Sequence, residues 1–434
     1  MVDSLQQTLA SFPLALRFSE FSQFFSGCLS FSVAYDCALA TESYRILAVG
    51  GMGSHGAITI SDRFGKDSVL RLLGRENGLR ILLVSTPVGA LGSGLGGGVE
   101  LTLRNIGMAL QERGHSVTVM APAQSVSPGL NILGVSGELQ ITAQTQGRNA
   151  PVTLPAHSVL ANLWQTAYQQ QGDSDILINF AYDWLPFYLT PFFDRPIAHL
   201  VSMGSLTDAM DQIIGQTLDR FPGSIGVHSR AQAETFPFGD QCRVLGNGLD
   251  LSLYQFRAKA EDELGWVGRI APEKGIEDAI EAAQQAGSPL KIWGAMPDPD
   301  YWRSIYQRYP DASFSYEGFL STEALQQELG ACRGLLMTPK WIEAFGNVAI
   351  EALACGVPVV AYRRGGPAEI VQEGHTGWLV EPDSVSGLVA AIQKLDKIDR
   401  QTCRQAAERE YSMQAMGGRV EAWLKDLLAA WGDR

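Results

Sequence analysis

Residues 80–122 read RILLVSTPVGALGSGLGGGVELTLRNIGMALQERGHSVTVMAP, and this stretch decides the fold. Arg80-Ile81-Leu82-Leu83-Val84 is a short apolar run, the pattern of a strand covered on both faces. A glycine-rich loop follows from Gly89 to Gly98. Residues 99–113 carry apolar side chains at helical spacing and stop at Gly114. Residues 116–120 form a second apolar run, closed by Ala121-Pro122. Strand, loop, helix and parallel strand make the unit of a doubly wound α/β sheet.

Further strand-like runs stand at 176–179, 197–201 and 225–227. The pattern then breaks at Asn247-Gly248-Leu249-Asp250 and a polar stretch, 255–263, which reads as a linker. A second α/β series begins at Leu264-Gly265-Trp266-Val267-Gly268 and alternates to about residue 410. Residues 411–434 read as a helix that Trp423 and Trp431 can anchor. The expected organisation is a Rossmann-like domain at 79–256, a second at 257–410, and a last helix, 411–434, packing back on the first domain. Residues 1–78 hold one strand-like run, 44–49, and a glycine run at Gly50, Gly51 and Gly53 with no helix pattern after it. They are expected to be a poorly ordered extension.

The chain of 434 residues has 33 Lys and Arg against 46 Asp and Glu, a net charge of −13 with no long basic run. That argues against nucleic acid and against docking on an anionic membrane. No run of eighteen apolar residues and no signal-like start appear, so the expected location is the cytoplasm. The 6 cysteines form no C-x-x-C and read as reduced thiols. The histidines show no metal-ligand spacing, Asp298 to Asp300 reads as a turn, and no metal or cofactor is expected.

Three constellations suit a sugar joined to a nucleoside diphosphate. Gly268-Arg269-Ile270-Ala271-Pro272-Glu273-Lys274-Gly275 follows a strand and opens a helix, so Arg269 and Lys274 can converge on a diphosphate. In Glu343-Ala344-Phe345-Gly346-Asn347-Val348-Ala349-Ile350-Glu351, a helix over 347–354 places Glu343 ahead of its start and Glu351 one turn inside. Carboxylates there can accept hydrogen bonds from sugar and ribose hydroxyls. Gly96-Gly97-Gly98 lets backbone approach a diphosphate. It lacks the G-x-G-x-x-G register, and no acidic residue ends the next strand, which disfavours a nicotinamide cofactor.

These motifs, with Asn247-Gly248-Leu249-Asp250, Gly318-Phe319-Leu320 and Gly365-Gly366 ahead of Glu369, make residues 79–434 resemble a retaining family 4 glycosyltransferase. The resemblance implies the GT-B fold, two Rossmann-like domains facing a central cleft. It extends to members that glucosylate tetrahydrobiopterin through 83–89, 179–184 and 337–340. It implies UDP-glucose as donor, a reduced pterin as acceptor and no metal. By the same resemblance Glu343, Arg269 and Lys274 act on the reacting sugar phosphate. Gly97, Gly98, Gly318, Phe319, Phe345, Gly346, Asn347 and Glu351 would hold the donor. Many relatives carry a histidine where Tyr182 stands here, and His199 reads as a core residue. The crowded aromatics from Phe180 to Phe193 place the acceptor near Tyr182, Asp183 and Trp184. Another donor sugar, a lipid or polysaccharide acceptor, an epimerase and a non-catalytic binding module are the alternatives.

Overall fold

The structure is a computed structural model. It describes residues 78–94, 97–141 and 147–432, and the backbone of three earlier strands. Those strands, β1 (Ser32–Asp36), β2 (Ser43–Val49) and β3 (His55–Ser61), form an antiparallel sheet in chain order. The strand read at 44–49 is β2, and the structure adds a partner on each side. The remainder of residues 1–77, with the expectation of a poorly ordered extension, lies outside the described residues. So does Gly96.

Residues 77–434 form a separate unit with two parallel sheets. The first contains β4 (Arg80–Val84), β5 (Ser116–Pro122), β6 (Asn131–Val135), β7 (Ile176–Asn179), β8 (Ile197–Leu200), β9 (Ile225–Val227) and β10 (Arg243–Val244). The second contains β11 (Leu264–Val267), β12 (Leu290–Trp293), β13 (Phe314–Tyr316), β14 (Gly334–Met337), β15 (Val359–Tyr362) and β16 (Gly377–Val380). The strand orders are β10-β9-β8-β7-β4-β5-β6 and β13-β12-β11-β14-β15-β16. Both are the doubly wound order, and the first sheet carries one strand more. The order reverses between β4 and β7 and again between β11 and β14, where a crevice opens beyond the strand C-termini.

Why β4 is a continuous apolar run is now physical. Ile81 and Leu83 pack into one core, while Leu82 and Val84 pack into the core on the other face. Successive side chains point to opposite sides, and both sides are covered, so both must be apolar.

The helix Gly98–Glu112 follows the glycine loop and buries Leu103, Ile106, Ala109 and Leu110. The last helix, Met413–Gly432, returns to this same core with Met413, Met416, Val420, Trp423, Leu424 and Leu427. Trp423 Nε1 donates to the Gly223 carbonyl at 2.7 Å, and Trp431 stacks on Phe221 at 5.4 Å. The chain passes between the two halves at two adjacent points. There Leu249 N donates to Tyr411 O and Met413 N to Leu249 O, both at 2.8 Å. No helix among the described residues is long and apolar enough to cross a membrane.

Candidate active site

A cleft of about 1310 Å³ lies at the two switch points, bordered by the loops after β4, β7, β11 and β14. Of the residues given a catalytic, donor-binding or acceptor-binding role from the sequence, all but Gly318 line it. Gly318 stands behind the wall, where its carbonyl accepts from Gly294 N at 2.9 Å, and Phe319 beside it is 68% exposed at the cleft.

The loop after β14 carries Glu343, and Gly366 N donates to the Glu343 carbonyl at 2.8 Å, which fixes its backbone. Gly346 then sits at φ 93°, and a Cβ there would meet the Pro367 ring at 2.8 Å. Only glycine makes this entry into the helix Asn347–Ala354 without strain. Glu351, one turn on, also borders the cleft. Burial raises its carboxyl pKa to about 7, opposed in part by the Tyr254 hydroxyl beside it.

The loop after β11 carries Arg269 and a tight turn, Pro272–Lys274, ahead of the helix Ile276–Ala286. Lys274 Nζ binds Glu343 Oε2, and Arg269 binds Glu273. The indole Nε1 of Trp341 donates to the same Glu343 oxygen at 3.1 Å, and its ring face lies 4.9 Å from Lys274 Nζ. The sequence reading passed over Trp341. Its signal was a tryptophan two positions ahead of Glu343, in the loop that opens the site helix.

From the first half, the Glu100 carboxylate accepts from Gly92 N at 2.8 Å and Gly94 N at 3.3 Å, shaping the glycine loop. Gly97 precedes the helix and Gly98 opens it. A Cβ on Gly98 would stand 2.9 Å from Asn347 Nδ2, so the halves nearly touch here.

On the other side, Tyr182 donates its hydroxyl to the Gly204 carbonyl at 3.1 Å and accepts from Leu206 N at 3.3 Å. Asp183 caps the helix Trp184–Leu189 through Leu185 N and accepts from Gln140 Nε2 at 3.3 Å. Burial raises its pKa despite these bonds. Trp184 borders the cleft and stacks on Tyr188 at 4.6 Å. Phe180, Phe187 and Phe193 are core residues, so the aromatic crowding divides between packing and the cleft.

His199 is fully buried, with Asn179 Nδ2 at 3.2 Å from one ring nitrogen and Thr190 Oγ1 at 2.9 Å from the other. Burial lowers its pKa to about 3. The histidine that does border the cleft is His228, which the sequence reading left unassigned. Its Nδ1 faces the Gly246 carbonyl at 3.1 Å, so that nitrogen carries the proton. Asp298 corrects the reading of 298–300 as a turn. It caps a helix, Pro299–Arg308, by accepting from Asp300 N and Tyr301 N. Among the described residues, no three His, Cys, Asp or Glu side chains gather in a metal-holding group.

Residues 255–413 match the family model of glycosyl transferases group 1. Over 162 residues it is 32% identical to glycogen synthase of Mycobacterium tuberculosis, covering 35% of this chain and 39% of that protein. Over 193 residues it is 31% identical to D-inositol 3-phosphate glycosyltransferase of a Mycobacterium species, covering 42% and 41%. The matches thus span about two fifths of these curated relatives. Two solved structures share the whole two-sheet arrangement. HepE from Anabaena, in complex with UDP and glucose, superposes with a TM-score of 0.64 at 19% identity, covering 80% of this chain and 100% of that one. Sucrose-phosphate synthase from Thermosynechococcus elongatus gives 0.65 at 21%, covering 81% and 100%. The fold is GT-B, and residues 255–413, which match the group 1 model, fall in its second half.

Proposed function

We propose that this protein is a retaining glycosyltransferase that moves glucose from UDP-glucose to a hydroxyl of a small uncharged acceptor, with tetrahydrobiopterin as the first candidate. The observation that carries this reading is the Lys274–Glu343 pair at the cleft-facing start of the helix Asn347–Ala354, opposite Gly98. A cation, a carboxylate and a helix N-terminus in one crevice suit a sugar whose leaving group is a diphosphate. HepE, whose structures hold UDP and UDP-glucose, supports the donor.

In this reading the donor lies on the group 1 domain, 257–410, and the acceptor on 79–256 with the last helix. The bond from sugar C1 to the phosphate oxygen breaks while the acceptor oxygen bonds C1 on the same face. The acceptor proton passes to the departing phosphate oxygen. Arg269, Lys274, the helix N-terminus and the Gly98 amide stabilise the growing diphosphate charge, so the reading calls for no metal. Glu343 holds sugar hydroxyls and Glu351 the ribose. Phe319 borders the base, and backbone N–H groups of Phe345, Gly346 and Asn347 meet sugar and phosphate.

An uncharged acceptor is favoured by the wall that faces it. Val126, Leu139, Ile141 and Val152 are exposed there, and Arg104 is the only Lys or Arg that the described residues of the first half contribute to the cleft. A flat heterocycle suits such a wall, with Trp184 for its face and Asp183 for its N–H edge. A cytoplasmic location fits both substrates.

The test is incubation with UDP-glucose, UDP-galactose and GDP-mannose in turn, against tetrahydrobiopterin, a polyol and a lipid alcohol. Products are identified by mass and their anomeric configuration by NMR. An α-glucoside of the pterin is expected. A product on the lipid, a new nucleotide sugar, or binding without transfer would each replace this reading with one of its alternatives.

A further inference from the structure

We infer that Trp341 is the positioning residue that sets the geometry of the Lys274–Glu343 pair. The inference rests on the proposed use of that pair and concerns a residue that takes no part in the transfer itself.

A carboxylate oxygen has two lone-pair directions. On Glu343 Oε2 one is taken by Lys274 Nζ and the other by the Trp341 indole N–H at 3.1 Å. With Oε2 occupied twice, the carboxylate is locked against rotation and Oε1 is the oxygen presented to a sugar hydroxyl. The same indole acts on the cation. Its face lies 4.9 Å from Lys274 Nζ, where the ring quadrupole attracts the ammonium and keeps water from one side of it. One flat side chain therefore holds both members of the pair by different atoms. Trp341 is half-buried and borders the same cleft as Lys274 and Glu343.

The two contacts separate experimentally. Trp341→Phe keeps a ring face and loses the N–H, and Trp341→Leu loses both. Losing a hydrogen bond to a charged group predicts a fall of about tenfold or more in kcat for Trp341→Phe, with donor KM within about threefold. Trp341→Leu adds a loss of donor affinity, about threefold, through the unsupported ammonium. Trp341→His returns an N–H and recovers part of kcat.

A double-variant cycle with Lys274→Ala, read as UDP-glucose affinity by calorimetry, supplies the arm that a packing role would not move. The face-dependent difference between Trp341→Leu and Trp341→Phe vanishes when Lys274 is absent. Additive effects in the cycle, or a Trp341→Phe kcat within twofold of the parent, overturn the inference and leave the proposed function standing. A parent that binds UDP-glucose but transfers nothing removes the proposed function, while the affinity cycle still decides Trp341. A parent that binds no UDP-sugar overturns both.

Discussion

Asn247 Nδ2 donates to Asn347 Oδ1 at 2.8 Å, joining the turn that leaves the first sheet to the first residue of the site helix in the second. Asn247 is itself held, since the same nitrogen donates to Thr102 Oγ1 at 2.8 Å and its Oδ1 accepts from Gly248 N at 2.9 Å. Because Asn347 presents its oxygen to Asn247, its Nδ2 faces Gly98. The amide is thus oriented with its donor end toward the proposed diphosphate site.

That orientation predicts different outcomes for two changes at Asn347. Asn347→Ala removes the bridge and should raise donor KM by about tenfold, the scale of one buried hydrogen bond. Asn347→Asp puts a carboxylate where the amide N–H stood and should weaken the donor further through like-charge repulsion. Equal donor KM values for the two variants in steady-state kinetics would show that the Nδ2 end does not face the donor.

Gly98→Ala tests the close approach. The new methyl would stand 2.9 Å from Asn347 Nδ2, while alanine itself suits the start of a helix. Thermal stability should stay within a few degrees while transfer falls by about tenfold or more. An active Gly98→Ala variant would mean that the halves need not meet here during turnover.

Lys274→Ala should lower kcat/KM by about 10²–10³, the scale of one preorganised charge donor. Lys274→Arg should not fully restore it, because the longer, planar guanidinium cannot place its charge where the compact ammonium sits between Glu343 and Trp341. Turnover near that of the parent in the alanine variant would remove Lys274 from the site.

Glu351 predicts a pH signature in stability. Its folded pKa of about 7 lies above the ordinary 4.5, so the folded chain keeps a proton that the unfolded chain has lost in that window. The contribution of Glu351 to stability therefore falls as pH rises from about 4.5 to 7 and stays lower above it. Glu351→Gln removes the charging cost, so its Tm relative to the parent should be more favourable at pH 8 than at pH 5. The same difference at both pH values would assign the neutral carboxyl no role in the fold.

Glu421 predicts the opposite sign. Burial works to raise its pKa, but bonds from Lys425 and Arg113 outweigh this and bring it to about 2. Its stabilising contribution is present above pH 4.5 and is lost as pH falls toward 2. Glu421→Gln should lower Tm at pH 7, because the last helix loses its tie to Arg113, and the difference should close in acid. A gap that is as wide at pH 3 as at pH 7 would contradict this.

The legible parts of the sequence were those governed by local pattern. The strands β4, β7 and β9 and the helix Asn347–Ala354 stand at the residues read for them, because buried parallel strands and glycine-ended helices leave continuous signals. The two edge strands β6 and β10 carry weaker signals, since Asn131–Val135 is short and interrupted by Gly134 and Arg243–Val244 is two exposed residues. Among site residues, Arg269, Lys274, Glu343 and Glu351 stood in recognisable motifs. Trp341 and His228 did not: Trp341 lies in the Glu343 loop but gains its role only when Lys274 arrives from the loop after β11, and His228 reaches the cleft from the end of β9. Asp183 shows a subtler gap. Its spacing before Trp184-Leu185 is that of a helix cap, and the structure uses it as one while it also borders the cleft.

The return of the last helix to the first core bears on how this molecule could be recombined. The family match ends at residue 413, where that helix begins. A chimera that exchanges everything after the linker would therefore replace Met416, Val420, Trp423 and Leu424, which belong to the core of the half being kept. The productive graft exchanges an internal cassette, from the start of β11 to Glu410, and leaves each half its own last helix. On the proposed function, donor preference would then travel with the cassette, and the apolar wall of the first half would stay intact.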